Sequence, residues 1–293
     1  MDQLAWSIQQ RMKFIEFSVF WEDEISRPKL VAQFDISPQQ ATKDLNRYQE
    51  LVPKNIAYNP KRRRYVPTEK FKPKYIEGSA PEYLRHIDAL RLEHKSENEI
   101  WIETVPSYDC THLPVRFVDP KILKSMLNAI RLKHSVEIEY VSLSGSDGGI
   151  RRITPHSICT DGNRWHVRAY NHDGDRHSDY SLSRISKAGN ISEAEKDIPS
   201  DKVWNTYVDI QVAPEDGLDE TIAERLQIEY DMEGGYRSFS VRKAMLWYIL
   251  RRLGFNPVAT DKSTLPHKMR NESSFRLKLH NFDDVENWLE RRQ

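Results

Sequence analysis

Trp165-His166-Val167-Arg168-Ala169-Tyr170, Asn171-His172-Asp173-Gly174-Asp175 and Asp179-Tyr180-Ser181-Leu182-Ser183-Arg184-Ile185 are the runs on which the reading of this chain turns. Side chains alternate across a strand, so Trp165, Val167 and Ala169 share one face of the first run while His166, Arg168 and Tyr170 share the other. The first face is apolar and reads as core, Trp165 included. The second carries cations where a purely structural strand would carry neutral side chains. The middle run contains Asp-Gly, which tight turns favour because glycine adopts positive φ without steric cost. Together the runs predict a β-hairpin with Arg168 and Arg184 on neighbouring strands. In the opposing reading these arginines pair with Asp173, Asp175 or Asp179 across the hairpin, surface ion pairs that contribute little.

Upstream, Val136, Ile138, Tyr140 and Ser142 alternate, Gly145 to Gly149 form a turn, Arg151 to Ile158 a second strand and Asp161-Gly162-Asn163 another turn. Asp119-Pro120 opens a helix whose apolar side holds Ile122, Leu123, Met126, Leu127 and Ile130. A helix followed by short strands and tight turns predicts a small, strongly bent β-barrel of the Sm/SH3-like kind. Its donors are Tyr140, Ser142, Arg152, His156, His166, Arg168, Ser183 and Arg184. Guanidinium groups grip phosphate through paired N–H bonds and aromatic rings stack on bases, so the set suits an anionic, nucleotide-like or oligonucleotide ligand. Alternation keeps all eight from one surface, and Tyr140, Ser142, Arg152, His156, Arg168 and Arg184 are the preferred subset. The histidines at 156, 166, 172 and 177 form no helical i, i+4 pair and no cysteine joins them, so neither a metal site nor a cofactor is expected. Asp173-Gly174-Asp175 reads as a turn, not a calcium loop.

The opposite end of the chain is basic. Formal net charge is zero, from 44 basic and 44 acidic residues, which taken alone argues against a polyanion binder. Yet Lys54, Lys61, Arg62, Arg63, Arg64, Lys70, Lys72 and Lys74 crowd one stretch against the single acid Glu69, while acids dominate Glu215 to Glu233. Local charge, not the total, sets the field a polyanion meets. Phe14, Ile15, Phe17 and Trp21 stripe one helix; Ser26-Arg27-Pro28 starts a short second helix and Ser37-Pro38 a third. Short helices joined by a tight connection make a helix-turn-helix. Ile56-Ala57-Tyr58 and Arg63-Arg64-Tyr65-Val66 then flank a basic tip, the wing of a winged helix. The third helix would offer Ser37, Gln39, Gln40, Thr42, Lys43, Asn46 and Arg47 to a major groove, and Arg62, Arg63 and Arg64 would hold phosphates or a narrow minor groove.

A connector comes next, with a helix through Tyr83, Leu84, Ile87, Leu90 and Leu92, then Trp101 to Val105 and Pro106. The far end alternates Val208 to Val212, a helix through Ile222, Leu226 and Tyr230, a glycine-ended apolar helix from Ala244 to Gly254, a strand Phe275 to Leu279 and a helix Asp283 to Arg292, an α+β pattern. No apolar run is long enough to span a bilayer and Met1-Asp2-Gln3-Leu4 does not open a signal peptide, so a cytoplasmic protein without membrane contact is expected. Cys110 and Cys159 form no Cys-x-x-Cys pair and read as idle thiols.

Ile138-Glu139-Tyr140, Arg152-Ile153-Thr154-Pro155-His156, Trp165-His166-Val167 and Leu182-Ser183-Arg184-Ile185 resemble the WYL domain of bacterial transcription regulators. His166 and Val167 stand where the name motif has Tyr and Leu. Ile36 to Leu45 resembles the recognition helix of DeoR-like winged helices, and Ile228-Glu229-Tyr230-Asp231-Met232 with Val241-Arg242-Lys243-Ala244 resembles the C-terminal extension of the BrxR/CapW-like repressors found beside phage-defence operons. The resemblance implies a multidomain α+β chain: residues 1–75 a winged helix-turn-helix, 76–118 a helical linker, 119–195 the ligand-sensing WYL barrel and 196–293 a dimerisation domain. It further implies a homodimer on a double-stranded, inverted-repeat operator, with affinity set by a nucleotide or oligonucleotide effector. Other classes remain open: an RNA or single-strand binder using the Sm-like barrel, or a nucleotide-processing enzyme. No nucleophile elbow, phosphate-binding loop or kinase-like set supports the enzyme.

Overall fold

The computed structural model describes residues 5–91, 100–103, 105–109, 114, 116–143, 149–193, 198–255 and 276–290. The chain divides into two compact units, residues 1–112 and 113–293.

In the first unit α1 (Trp6–Glu22), α2 (Arg27–Phe34) and α3 (Pro38–Leu51) precede a hairpin of β1 (Ile56–Asn59) and β2 (Arg64–Pro67), then α4 (Ala80–Arg91). The helix starts are local chemistry. Ser26 Oγ accepts from the Lys29 amide at 3.3 Å and Ser37 Oγ from the Gln40 amide at 3.1 Å, each followed by a proline in the first turn. Asp23 and Asp35, both left-handed, end the first two helices. Met12, Phe14, Ile15, Leu30, Leu45 and Tyr48 form the core where the three helices meet; each fully buried large apolar side chain contributes about 1.5–3 kcal/mol. Backbone bonds between Ile25 and Tyr65, 2.8 Å in both directions, lay the α1–α2 connection beside the wing.

Glu16, fully buried, organises the segment after the wing. It accepts from Tyr48 Oη at 2.7 Å and from the amides of Lys74 at 2.8 Å, Ile76 at 3.0 Å and Tyr75. Burial, together with Glu16, drives the Tyr48 phenol well above its usual range despite an opposing bond from Asn55. Beyond it, Ile76, Ile100 and Ile102 pack on Phe17 with Tyr83 and Trp101, so the connector helix belongs to the first unit. Leu92, Thr104 and Cys110 lie outside the described residues, and nothing is described of the Leu90 side chain.

The second unit opens with α5 (Pro120–Leu132), capped by Asp119, whose carboxylate accepts from the Lys121 amide at 2.8 Å. Five antiparallel strands follow: β3 (His134–Tyr140), β4 (Gly149–Thr160), β5 (Trp165–Asn171), β6 (Arg176–Ser181) and, after a 3-10 turn at Leu182–Arg184, β7 (Ile185–Glu193). The sheet order is β6-β5-β4-β3-β7. Ile122, Met126 and Ala129 of α5 pack on Val136, Ile138, Ile153, Val167 and Ala169. The expected Sm/SH3-like barrel is not closed: among the described residues β6 and β7 do not pair and the sheet stays open. The sheet has the means to bend, with irregular register between Pro155 and Ser157, where proline has no amide to donate, and twice along β3–β7. Closure would need a hydrogen-bonded ladder between β6 and β7, the two edge strands of the sheet, and among the described residues none forms.

After the sheet come α6 (Lys202–Asn205), β8 (Tyr207–Pro214), α7 (Glu220–Glu229), β9 (Arg237–Arg242), α8 (Leu246–Arg252), β10 (Leu277–Leu279) and a final helix, Phe282–Glu290. Their sheet runs β10-β8-β9, and Val208, Ile210, Leu246, Leu250, Phe255 and Val285 fill its core. The predicted turn at Gly145 to Gly148, the strand start at Phe275 and the helix end at Arg292 lie outside the described residues. No described helix is long and apolar enough to cross a membrane.

Candidate functional site

On α3, Ala41, Asp44, Leu45 and Tyr48 turn inward. Asp44, only 1% exposed, accepts from Arg11 Nε at 2.6 Å and from Gln40 Nε2 at 3.1 Å, so a buried ion pair fixes α3 on α1. The opposite face carries Gln39, Lys43, Asn46 and Arg47, all exposed. Three of the other predicted contacts have local duties: Ser37 caps the helix, Gln40 is tied to Asp44, and the Thr42 hydroxyl donates to the Pro38 carbonyl at 3.0 Å. On the wing, Arg63 is left-handed (φ 55°) and exposed, Arg62 is exposed at 4.0 Å from Glu24, and Arg64 is half-buried with Nε 3.1 Å from Glu24. Tyr58 and Tyr65 pack edge to face at 5.2 Å beneath them. The unit thus presents a helix face rich in exposed donors and a cationic loop, the chemistry that meets base edges and phosphates.

In the second unit the cationic face of β5 is not a surface. His166 is 4% and Arg168 5% exposed, whereas Trp165, assigned to the core by alternation, is 56% exposed. Trp165 begins β5 opposite Thr160, at the mouth of a turn, while Val167 and Ala169 lie over α5. The other face is covered by residues beyond the sheet. Arg168 donates through Nε to Asp201 Oδ2 at 2.7 Å, through Nη2 to Asp201 Oδ1 at 3.3 Å and through Nη1 to Asp179 Oδ1 at 3.0 Å. Tyr248 Oη donates to Asp179 Oδ2 at 3.1 Å, and its ring lies 5.3 Å from that of His166. Burial alone would raise the Asp201 carboxyl, but the hydrogen bonds from His156 and Arg168 outweigh it and hold it well below the usual carboxylate range. Burial lowers His166, whose Nδ1 has no hydrogen-bond partner among the described residues, and pushes the Cys159 thiol up to about 12.

Three family models match consecutive parts of the chain: the BrxR transcriptional regulator winged helix-turn-helix domain over residues 7–89, the WYL domain over 121–189 and the BrxR C-terminal dimerization domain over 207–285. The DNA-binding transcriptional repressor CapW of Pseudomonas aeruginosa is 34% identical over 267 residues, 88% of this chain and 86% of that protein. The chain belongs to the CapW/BrxR family of WYL-domain transcriptional regulators. CapW proteins of Escherichia coli and Stenotrophomonas maltophilia are 31% and 28% identical over 96% and 98% of this chain, and 91% and 94% of their own lengths. Among solved structures, the proteasome accessory factor B/C of Arthrobacter aurescens aligns over 98% of this chain and 46% of its own, at 10% identity and a TM-score of 0.30, too low to inform the fold.

In this member of the CapW/BrxR family the predicted effector residues do not converge. Tyr140 and Ser142 line a cavity of about 250 Å³ with Arg151, Arg176 and Tyr180. Arg152 borders another, of about 300 Å³, beside Glu137 and Asn190. His156 lies in a third, of about 280 Å³, with His177 and Trp204. Ser183 is exposed with its hydroxyl 3.1 Å from that of Ser181. Arg184 is half-buried in the 3-10 turn and its side chain has no hydrogen bond or ion pair among the described residues. The opposing reading of Arg168 is half right: Asp179 is its partner, but the pair is buried and shared with Asp201, which no feature of the sequence singles out. Sequence reasoning also misses Arg151 and Arg176 as cavity-lining cations, although the register of β3 with β4 and β5 with β6 carries them to the side of Tyr140.

Proposed function

We propose that the chain is a homodimeric repressor that binds an inverted-repeat operator in duplex DNA, residues 1–75 making the contacts. The observation that carries this is the exposed row Gln39, Lys43, Asn46 and Arg47 on a helix locked in place by Asp44 and Arg11, beside a wing tip with Arg62 and Arg63 exposed. Lysine and arginine reach guanine or phosphate, and asparagine or glutamine pairs with adenine. Pairing of two copies is supported by the match to a dimerization domain and by α7, which leaves Ile222 50% and Ile228 68% exposed. Two-fold symmetry demands a two-fold site. The first target is the promoter of a phage-defence operon, a reading that rests on the resemblance to the BrxR/CapW-like repressors. An anionic effector, nucleotide-like in its phosphate, is assigned to the cavity that Arg151 and Arg176 line with Tyr140 and Ser142, where Asp173 and Asp179 also lie and leave the arginines as the phosphate contacts, and a preference for one dimer arrangement would change operator affinity.

The test is binding of the full chain to duplex DNA from upstream of its own gene across a salt series. Lys43→Ala abolishes sequence preference, and the Arg62→Ala/Arg63→Ala variant binds all duplexes more weakly, with a salt slope smaller by roughly 2. Preference for unstructured RNA, or indifference to both changes, overturns the proposal.

A further inference from the structure

Three side chains that no sequence spacing connects meet at the rim of the WYL sheet. His156 comes from β4, His177 from β6 and Asp201 from the cap of α6, and one ligand atom of each lies within 4.8 Å of the others. His156 Nε2 is 3.2 Å from Asp201 Oδ2, and the two imidazoles stand 5.5 Å apart at 73°. We propose that these three residues bind a borderline divalent cation, zinc above all, at the passage from the sheet into the C-terminal domain.

The geometry suits the ion. Zinc held at about 2.0–2.2 Å by four ligands sets neighbouring donor atoms roughly 3.3 Å apart, so His156 and Asp201 already span one edge of the tetrahedron and His177 closes by about 1.5 Å at most. Two of the ligands are held from behind. Ser157 Oγ lies 3.0 Å from His156 Nδ1, which leaves Nε2 facing Asp201. Asp201 receives two bonds from Arg168 and one from the Trp204 amide at 3.0 Å. Outer partners of this kind orient ligands and are part of a working metal site. His177 is the available third ligand: its ring packs on Tyr170 at 5.3 Å and makes no hydrogen bond among the described residues.

Arg168 is the obvious objection, because a cation already sits on Asp201. Its Nε does bond the ligating oxygen, Asp201 Oδ2, at 2.7 Å, but a carboxylate oxygen has a second lone pair, here turned to His156; its Nη2 bond uses Oδ1, and its Nη1 is committed to Asp179, so part of its charge is balanced elsewhere. The ion takes the place of the proton on His156 Nε2, and the ring stays a neutral imidazole with its proton on Nδ1, where Ser157 Oγ can accept it. The fourth position opens on the cavity of about 280 Å³ that Thr154, Tyr170 and Trp204 help to line, room for a water or an anionic oxygen. Two nitrogens and one oxygen favour zinc, cobalt or nickel over magnesium and calcium, which prefer oxygen alone. An ion here would join two strands of the sheet to the segment that enters β8.

The full chain, stripped with EDTA and exchanged into chelator-free buffer, is titrated with zinc sulfate by calorimetry and with cobalt(II) by visible absorption. One equivalent per chain and the intense visible bands of four-coordinate cobalt are expected. His177→Ala and His156→Ala each weaken binding at least about tenfold, while His134→Ala, on β3, leaves it unchanged. The His177 side chain makes no hydrogen bond among the described residues, so in EDTA its variant loses only ring packing on Tyr170 and His156 and keeps a cooperative melt within a few degrees of the wild type, which separates lost ligation from lost fold. Absence of binding below 100 µM zinc, a weak six-coordinate cobalt spectrum, or stoichiometric binding that survives His177→Ala overturns the site.

Discussion

Arg168→Met removes the charge at the centre of the second unit while keeping much of the side chain's length. The guanidinium joins Asp179 and Asp201, and the three side chains are 6%, 10% and 4% exposed. Removing one partner of a buried pair leaves the other charge uncompensated and costs about 3–5 kcal/mol, against about 0–1 kcal/mol for an exposed pair. Both carboxylates keep a neighbour, since Asp179 still accepts from Tyr248 and Asp201 from the Trp204 amide. The loss therefore belongs at the lower end, about 3 kcal/mol, and in a unit of this size lowers the melting temperature by roughly 6–12 °C. Thermal and urea melts in EDTA exclude any contribution from bound metal. The Arg168→Met/Asp201→Asn double variant recovers part of the loss, with a coupling above about 1 kcal/mol. Raising salt to 1 M changes little, because a buried pair is poorly screened. A variant within about 1 kcal/mol of the wild type, or a loss that 1 M salt erases, would refute the buried-network argument and restore a surface ion pair.

Arg184→Ala, at a half-buried turn position without a side-chain partner among the described residues, shifts stability by less than about 0.5 kcal/mol in the same melts. Trp165→Ala costs less than about 1 kcal/mol, because the ring is 56% exposed; a loss of the 3–5 kcal/mol typical of a buried tryptophan would return it to the core. Glu16→Ala orphans three backbone amides and the Tyr48 hydroxyl, and at about 1–3 kcal/mol for each buried donor left unsatisfied it unfolds the first unit well before the second. Hydrogen exchange of the two units reads this directly, and equal protection in variant and wild type would contradict the role assigned to Glu16.

The winged helix was legible almost throughout. Ser26-Arg27-Pro28 and Ser37-Pro38 start helices where expected, and Ala41, Leu45 and Tyr48 turn inward as their spacing requires. The exposed residues of α3 then follow by subtraction, but Gln40 does not, because its amide is claimed by Asp44, a buried acid paired with a residue on another helix. The β5–β6 hairpin shows the opposite balance. Its two strands pair, but the second is Arg176–Ser181 and the chain leaves it in the 3-10 turn Leu182–Arg184, so Arg184 is not on a strand beside Arg168 as expected; the face read as solvent-facing is sealed by Asp201 and Tyr248, and the face read as core leaves Trp165 outside.

The sequence by itself determined the helix starts, the strands and their two faces, because caps act over three residues and side-chain alternation is a property of the backbone. Only the tertiary structure decided that Arg168 is a buried tie and not an open grip, that the sheet stays unclosed, and that His156, His177 and Asp201 meet. Those outcomes depend on which distant element covers a strand. Burial and charge pairing are energies of proximity in space, and the period of a strand says which way a side chain points without saying what waits there.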